Sequence, residues 1–169
     1  MVKPITSLHD RAIALLEQRG VSLEAIANLV IFLQKDYIRD LTLAQARESV
    51  QIVLRKREVQ NALITGIQLD IAAEQHQLIE PLQTIVENDE GLYGVDETMA
   101  LSIVDLYGSI GFTNYGYIDR LKPGILKLLN AHEPGIIHTF LDDLVGAVAA
   151  AAAARLAHGE PDEARTPDK

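Results

Sequence analysis

The chain of 169 residues contains no cysteine, which removes a disulfide framework, a thiolate zinc site and any mechanism built on a cysteinyl nucleophile. Aromatic residues are scarce at 5%. The apolar content leans instead on Ala, Leu, Ile and Val, side chains that suit close helix packing better than a sheet sandwich. Positive charge is thin as well: 15 Lys and Arg against 24 Asp and Glu leave a net charge of −9. That balance argues against a nucleic-acid partner, because phosphate-backbone binding needs clustered cations that release counterions. The one dense basic run, Arg55, Lys56 and Arg57, fits a solvated helix face or i,i+4 pairs better than a headgroup site. Long apolar runs are missing too. The best candidate, Leu144 to Ala154, is mostly alanine and falls short of the roughly 20 residues that a spanning helix requires. The opening MVKPITSLHDRA has no apolar stretch behind Lys3 and does not read as a signal peptide. A cytoplasmic address is the expectation, with at most a peripheral contact to membrane. No P-loop, Asp-x-Asp-x-Thr segment, HExxH pair or internal repeat is found.

What remains reads as a single all-α domain over residues 1–158, followed by a polar, proline-containing tail, 159–169, expected to be disordered. Ser7 and Ser22 stand where helix caps belong, the first helix stopping at Gly20 and the second at about Tyr37. Thr42 and Gln45 have capping-box spacing. From Leu43 to about His76 the pattern predicts two helices meeting near Arg55 to Glu58, since one helix of that length would be exceptional. Asp70, beside the apolar stripe of the later helix, is expected to be partly solvated. Pro81 suits the first turn of a short helix ending near Asn88. The segment from residue 88 to Gly124 is rich in glycine and tyrosine and reads as turns packed around one helix, Glu97 to Leu106, capped by Asp96. A short helix from Ile125 to Asn130 follows Pro123. The last helix, Thr139 to about Ala157, is apolar nearly all round, which marks a central, buried element. Gly146 and Ala150 would allow neighbouring backbones, or a second subunit, to approach it closely.

Two adjacent carboxylates, Asp142 and Asp143, stand in the first turn of that otherwise apolar helix, and their burial is costly unless something positive compensates. With Thr139 as N-cap, Asp142 would complete a capping box. Asp143 points about 100° away, by the 3.6-residue turn, and capping leaves it unexplained. Mg²⁺ needs only one or two protein carboxylates beside waters and phosphate oxygens, and Asp142, Asp143, Asp96, Glu97 and Asp119 could supply them. Arg120, Lys122 and Asn114 could hold a phosphate group; Tyr115 and Tyr117 either line a pocket or pack as amphipathic aromatics. His132 and His138 flank the turn at Pro134 and Gly135, and either could carry a proton near neutral pH.

The segment HEPGIIHTFLDDLVGAVAAAA resembles the C-terminal signature of the phosphatidylglycerophosphatase A family, in which a Pro-Gly turn leads to a helix beginning with two acids. Glu133, Pro134, Gly135, Asp142, Asp143, Val145 and Gly146 occupy those places. IDRLKPG, with Asp119, resembles the family's Asp-containing helix end, and the stretch from residue 88 to Gly124 resembles its soluble, YutG-like branch. The resemblance implies an orthogonal multi-helix bundle around a central Ala-rich helix. It further implies Mg²⁺-dependent hydrolysis of phosphatidylglycerophosphate, a phosphate-bearing phospholipid headgroup, to phosphatidylglycerol and phosphate. Asp142, Asp143 and, from its place beside the Pro-Gly turn, His132 are the catalytic candidates. The competing expectation is a non-catalytic interaction protein, a homo-oligomer whose acids are caps and interface charges.

Overall fold

The computed structural model describes residues 7–159. Of the expected tail only Gly159 falls within that range; the rest, like the first six residues, lies outside the described residues. The described chain is all-α, its one β-type feature being an isolated bridge between Glu133 and Ile136. Helix α1 (Leu8–Gln18) begins where the Ser7 hydroxyl accepts the Asp10 amide at 3.0 Å, and it ends at Gly20, whose φ of +80° a side chain would resist. Helix α2 (Leu23–Gln34) is capped in the same manner by Ser22, and α3 (Leu43–Leu54) by the reciprocal Thr42–Gln45 box. The chain breaks at Arg55 and Lys56 before α4 (Arg57–Glu74), where the Lys56 ammonium lies over the Tyr107 ring. A short α5 (Leu82–Glu87) follows Pro81.

Beyond residue 88 the structure departs from expectation. Helix α6 spans Val95–Val104 and starts after Gly94 at φ +74°, which places Asp96 inside the first turn instead of at the cap. After a 3₁₀ turn (Asp105–Tyr107), the stretch expected to be turns is a further helix, α7 (Gly108–Leu121). Its glycines disguise it, because glycine in a helix interior is unfavourable by roughly 1 kcal/mol relative to alanine. Packing overrides that cost: Tyr115 and Ile118 are buried, and a Cβ on Gly111 would lie 3.0 Å from the Val104 carbonyl oxygen. Helix α8 (Ile125–Leu129) then leads through an irregular segment to α9 (Leu141–Ala157).

Every residue of α9 from Leu141 to Ala154 is buried, surrounded by α2, α3, α4, α6, α7 and α8. Small side chains let these helices reach its backbone with polar groups: the Ser49 hydroxyl donates to the Ala152 carbonyl at 2.9 Å and the Gln34 amide to that of Ala153 at 3.2 Å. Gly146 itself meets side chains, those of Ile118, Leu126 and Tyr115, at distances a Cβ would tolerate. The close approach occurs elsewhere, at Gly66 of α4, where a Cβ would run into Leu144 and lie 3.1 Å from Phe140 Cβ. The glycine-alanine face is thus consumed within the chain and offers nothing to a second subunit. No helix among the described residues is long and apolar enough to cross a membrane.

Candidate active site

Helix α9 begins two residues later than its sequence suggests, and the reason lies in its partners. The Thr139 hydroxyl donates to the Val86 carbonyl at 2.6 Å and so does not cap α9. Asp70 of α4 takes over: its carboxyl oxygens accept the amides of Phe140 (3.0 Å) and Leu141 (2.9 Å), supplying from another helix the acceptors that an N-terminus leaves its amides needing. Asp70 is therefore 0% exposed, contrary to the partly solvated position expected. Burial pushes its carboxyl up to about 8, against the opposing pull of the two amides and of Arg19. The irregular segment before α9 is held as firmly. Arg19 pairs with Glu74 and donates to the Ile137 carbonyl at 2.7 Å, while Glu74 accepts the Ile137 amide at 2.8 Å. Burial would raise the Glu74 carboxyl, but these bonds and the Arg19 charge hold it below the ordinary value. His138 lies 3.2 Å from the same guanidinium, and burial and that charge keep its imidazole below the usual range.

Relieved of capping, Asp142 and Asp143 turn to Lys122. The ammonium of Lys122 lies 2.5 Å from Asp119 Oδ1, 3.0 Å from Asp142 Oδ2 and 3.7 Å from Asp143 Oδ1. Burial disfavours its charge, yet the charges of Asp142 and Asp119 more than compensate and hold the amine protonated. The lysine reaches this place from a left-handed backbone conformation at the end of α7, φ +47°. Pro123 bars the helix from continuing through it, and such a conformation at a non-glycine residue is stored strain of the kind found at functional sites.

Sequence reasoning missed one member. Asp89 sits at the end of α5 with φ +48°, its amide bonded to the Val86 carbonyl and that of Glu90 to Ile85, the left-handed helix stop that glycine usually fills. Burial and the charge of Asp96 push its carboxyl up, with His132 and Lys122 opposing. The signal available was an aspartate in an Asn-Asp-Glu-Gly turn, and turn chemistry explains such a residue equally well. Asp96 is buried in the first turn of α6 and bears electrostatically on both Asp89 and Asp143.

Five carboxylates, Asp89, Asp96, Asp119, Asp142 and Asp143, thus share the neighbourhood of one lysine. Asp142 and Asp143 are only 5% and 6% exposed, and burial raises both carboxyls above the usual range. Asp143 is driven further by the charge of Asp142, whereas Lys122 restrains Asp142. Negative charge here exceeds what Lys122 compensates. Among the described residues, however, no three acidic or histidine side chains converge closely enough to enclose an ion by themselves.

The other candidates are distributed around this group. Glu97 is exposed in the first turn of α6. Arg120 is exposed in the last turn of α7, next to Asp119 but outside the Lys122 contacts. The Asn114 amide reaches the Ala150 carbonyl at 3.5 Å, about 10 Å along α9 from Asp143 by the rise of 1.5 Å per residue. Tyr117 is exposed and stacks on Phe32. His132 is exposed and lines an open cleft of about 530 Å³ with Glu74, His76, Glu87 and Glu133.

The protein is an all-helical bundle that buries a pair of adjacent acids against a lysine at the start of its central helix. The chain belongs to the phosphatidylglycerophosphatase A family, whose model matches residues 12–158. It is 60% identical to YutG of Bacillus subtilis, covering 90% of this chain and 92% of that protein, and 54% identical to YpjQ of the same organism, covering 88% and 83%. The crystal structure of the low temperature requirement C protein of Listeria monocytogenes superposes with a TM-score of 0.89 at 61% identity, covering 91% of this chain and 97% of that one.

Proposed function

We propose that this protein hydrolyses phosphate monoesters with the help of a divalent cation, Mg²⁺ by preference, held at the start of α9. The observation that carries the reading is the buried, under-compensated pair Asp142–Asp143 beside Lys122. Its donors are all carboxylate oxygens, which suit a hard cation, and Mg²⁺ asks for only one or two of them because it keeps several waters. A pair of adjacent acids that do not enclose an ion fits that demand better than it would fit calcium, which takes six to eight oxygens.

In this reading Asp142 and Asp143 hold the cation, with Asp96, Asp89 and Glu97 adding negative charge around it. When bound, the ion would neutralise phosphate oxygens and lower the pKa of a water. Asp119 orients the Lys122 ammonium, which is placed to meet a phosphate oxygen as a point charge. His132, exposed beside Asp89, can accept and return a proton. Family membership supports phosphatidylglycerophosphate as the ester, the lipid headgroup being presented from a membrane surface to a peripheral protein.

The test is phosphate release from phosphatidylglycerophosphate and from water-soluble monoesters, with Mg²⁺ and with chelator. We expect Mg²⁺-dependent turnover that Asp143→Asn reduces by about 100-fold or more, the loss seen when one electrostatic element of a site is removed, with the helical fold retained. Equal activity in that variant would take Asp143 out of the site. Failure of every monoester to turn over would end the phosphatase reading.

A further inference from the structure

Tyr115 projects from α7 against α9 with its ring beside Gly146, where Cε2 would stand 3.8 Å from a Cβ. Gly146 lies three and four residues beyond Asp143 and Asp142 on the same helix, so the ring covers the turn that follows the acid pair. The tyrosine is 6% exposed, and its hydroxyl has no hydrogen-bond partner among the described residues. That is anomalous, since a buried hydroxyl almost always finds one and an orphan is costly. Burial first, and then the charges of Asp143, Asp119, Glu97 and Asp142, keep it in its protonated, donating form.

We propose that the Tyr115 hydroxyl is a ligand-binding donor, held for an oxygen of the phosphate group that occupies the Asp142–Asp143 site. The chemistry of the site calls for such a group. Carboxylates repel a phosphate dianion, and a neutral O–H adds a directed hydrogen bond without competing with the cation for the acids. Packing fixes the ring, so the bond forms without ordering a flexible side chain. Neighbouring Asn114 and Tyr117 do not duplicate it, the first being engaged with the Ala150 carbonyl and the second facing outward.

This inference rests on the phosphatase reading, and Tyr115→Phe separates the two because it removes one oxygen and leaves the ring. Calorimetric titration of wild type and variant with Mg²⁺, and then with inorganic phosphate in saturating Mg²⁺, is the measurement. The expected result is unchanged Mg²⁺ affinity, phosphate affinity weakened about 10- to 100-fold, as for loss of a hydrogen bond to a charged group, and a parallel fall in kcat/KM. Tyr117→Phe, on the exposed side of the same helix, should match wild type in each respect. Equal phosphate affinity in Tyr115→Phe and wild type overturns the donor while leaving the phosphatase reading intact. Weakened phosphate binding in Tyr115→Phe, beside a wild type that binds phosphate but hydrolyses nothing, supports the donor and ends that reading; wild type that neither binds phosphate nor releases it ends both. Should the variant fail to fold, the ¹³Cζ resonance of labelled wild-type Tyr115 must move when phosphate is added in Mg²⁺, and an unmoved resonance overturns the proposal.

Discussion

Asp70 shows how one side chain sets the geometry of a site it does not enter. Both of its oxygens accept amides at the start of α9, Oδ1 that of Phe140 and Oδ2 that of Leu141, and Thr139, the residue that would otherwise cap that helix, is engaged with Val86. Asp70→Asn keeps the shape but turns an NH₂ towards an amide donor. We therefore expect a loss of about 1–3 kcal/mol of stability, the cost of leaving buried partners unsatisfied, measured by urea denaturation. An unchanged midpoint would mean that another group caps α9. At the site itself the same scale governs Asp143→Asn and Tyr115→Phe, one removing a charge and the other a single donor.

Among the elements, α4 and α9 meet at Gly66 with no room for a methyl group. Leu144, in the first turn of α9, and Phe140, at its N-cap, are the side chains that a Cβ there would crowd, and both are fully buried. Gly66→Ala gains helix propensity of roughly 1 kcal/mol but forces overpacking that costs typically 1–3 kcal/mol. The expected net effect is a lower melting temperature, together with weaker Mg²⁺ binding because α9 must shift where Asp142 and Asp143 begin it. A more stable variant would show that the two helices separate freely. The glycines of α7 follow the same logic, since Gly111 is required by the approach of the Val104 carbonyl.

For the whole molecule, three buried carboxyls govern how stability depends on pH. Asp70 is raised to about 8, and Asp142 and Asp143 are raised as well. In each case the folded state holds its proton to higher pH than the unfolded chain does. The associated stability is complete below the unfolded carboxyl range near about 4 and is lost as pH rises through the folded values. Glu74 acts in the opposite sense: its carboxyl is lowered, so its contribution is present above the unfolded range and fades as pH falls. In chelator, the melting temperature should therefore decline between about pH 6 and pH 9. A cation that binds the deprotonated pair should reverse that decline, so Mg²⁺ should raise the melting temperature more at the alkaline end. An equal Mg²⁺ effect at both ends would separate the ion from Asp142 and Asp143.

Local chemistry was enough to read α1 to α3, the break before α4 and the buried nature of α9, because caps, glycine stops and apolar periodicity act within a few residues of the backbone they organise. It was enough also to single out Asp142 and Asp143, since two acids on an oily helix conflict with their surroundings wherever the chain goes. Tertiary packing settled the rest. Helix α7 exists against its own propensity because α9 offers a surface for Tyr115 and Ile118. Asp70 became a cap, Asp89 joined the acids and Lys122 moved to their centre, as pairings across 70, 53 and 20 residues of chain brought α4, α5 and α7 to the start of α9. Such distances leave no trace in a local pattern, because the energy that selects these partners comes from burial shared between segments that are neighbours only once the chain has folded.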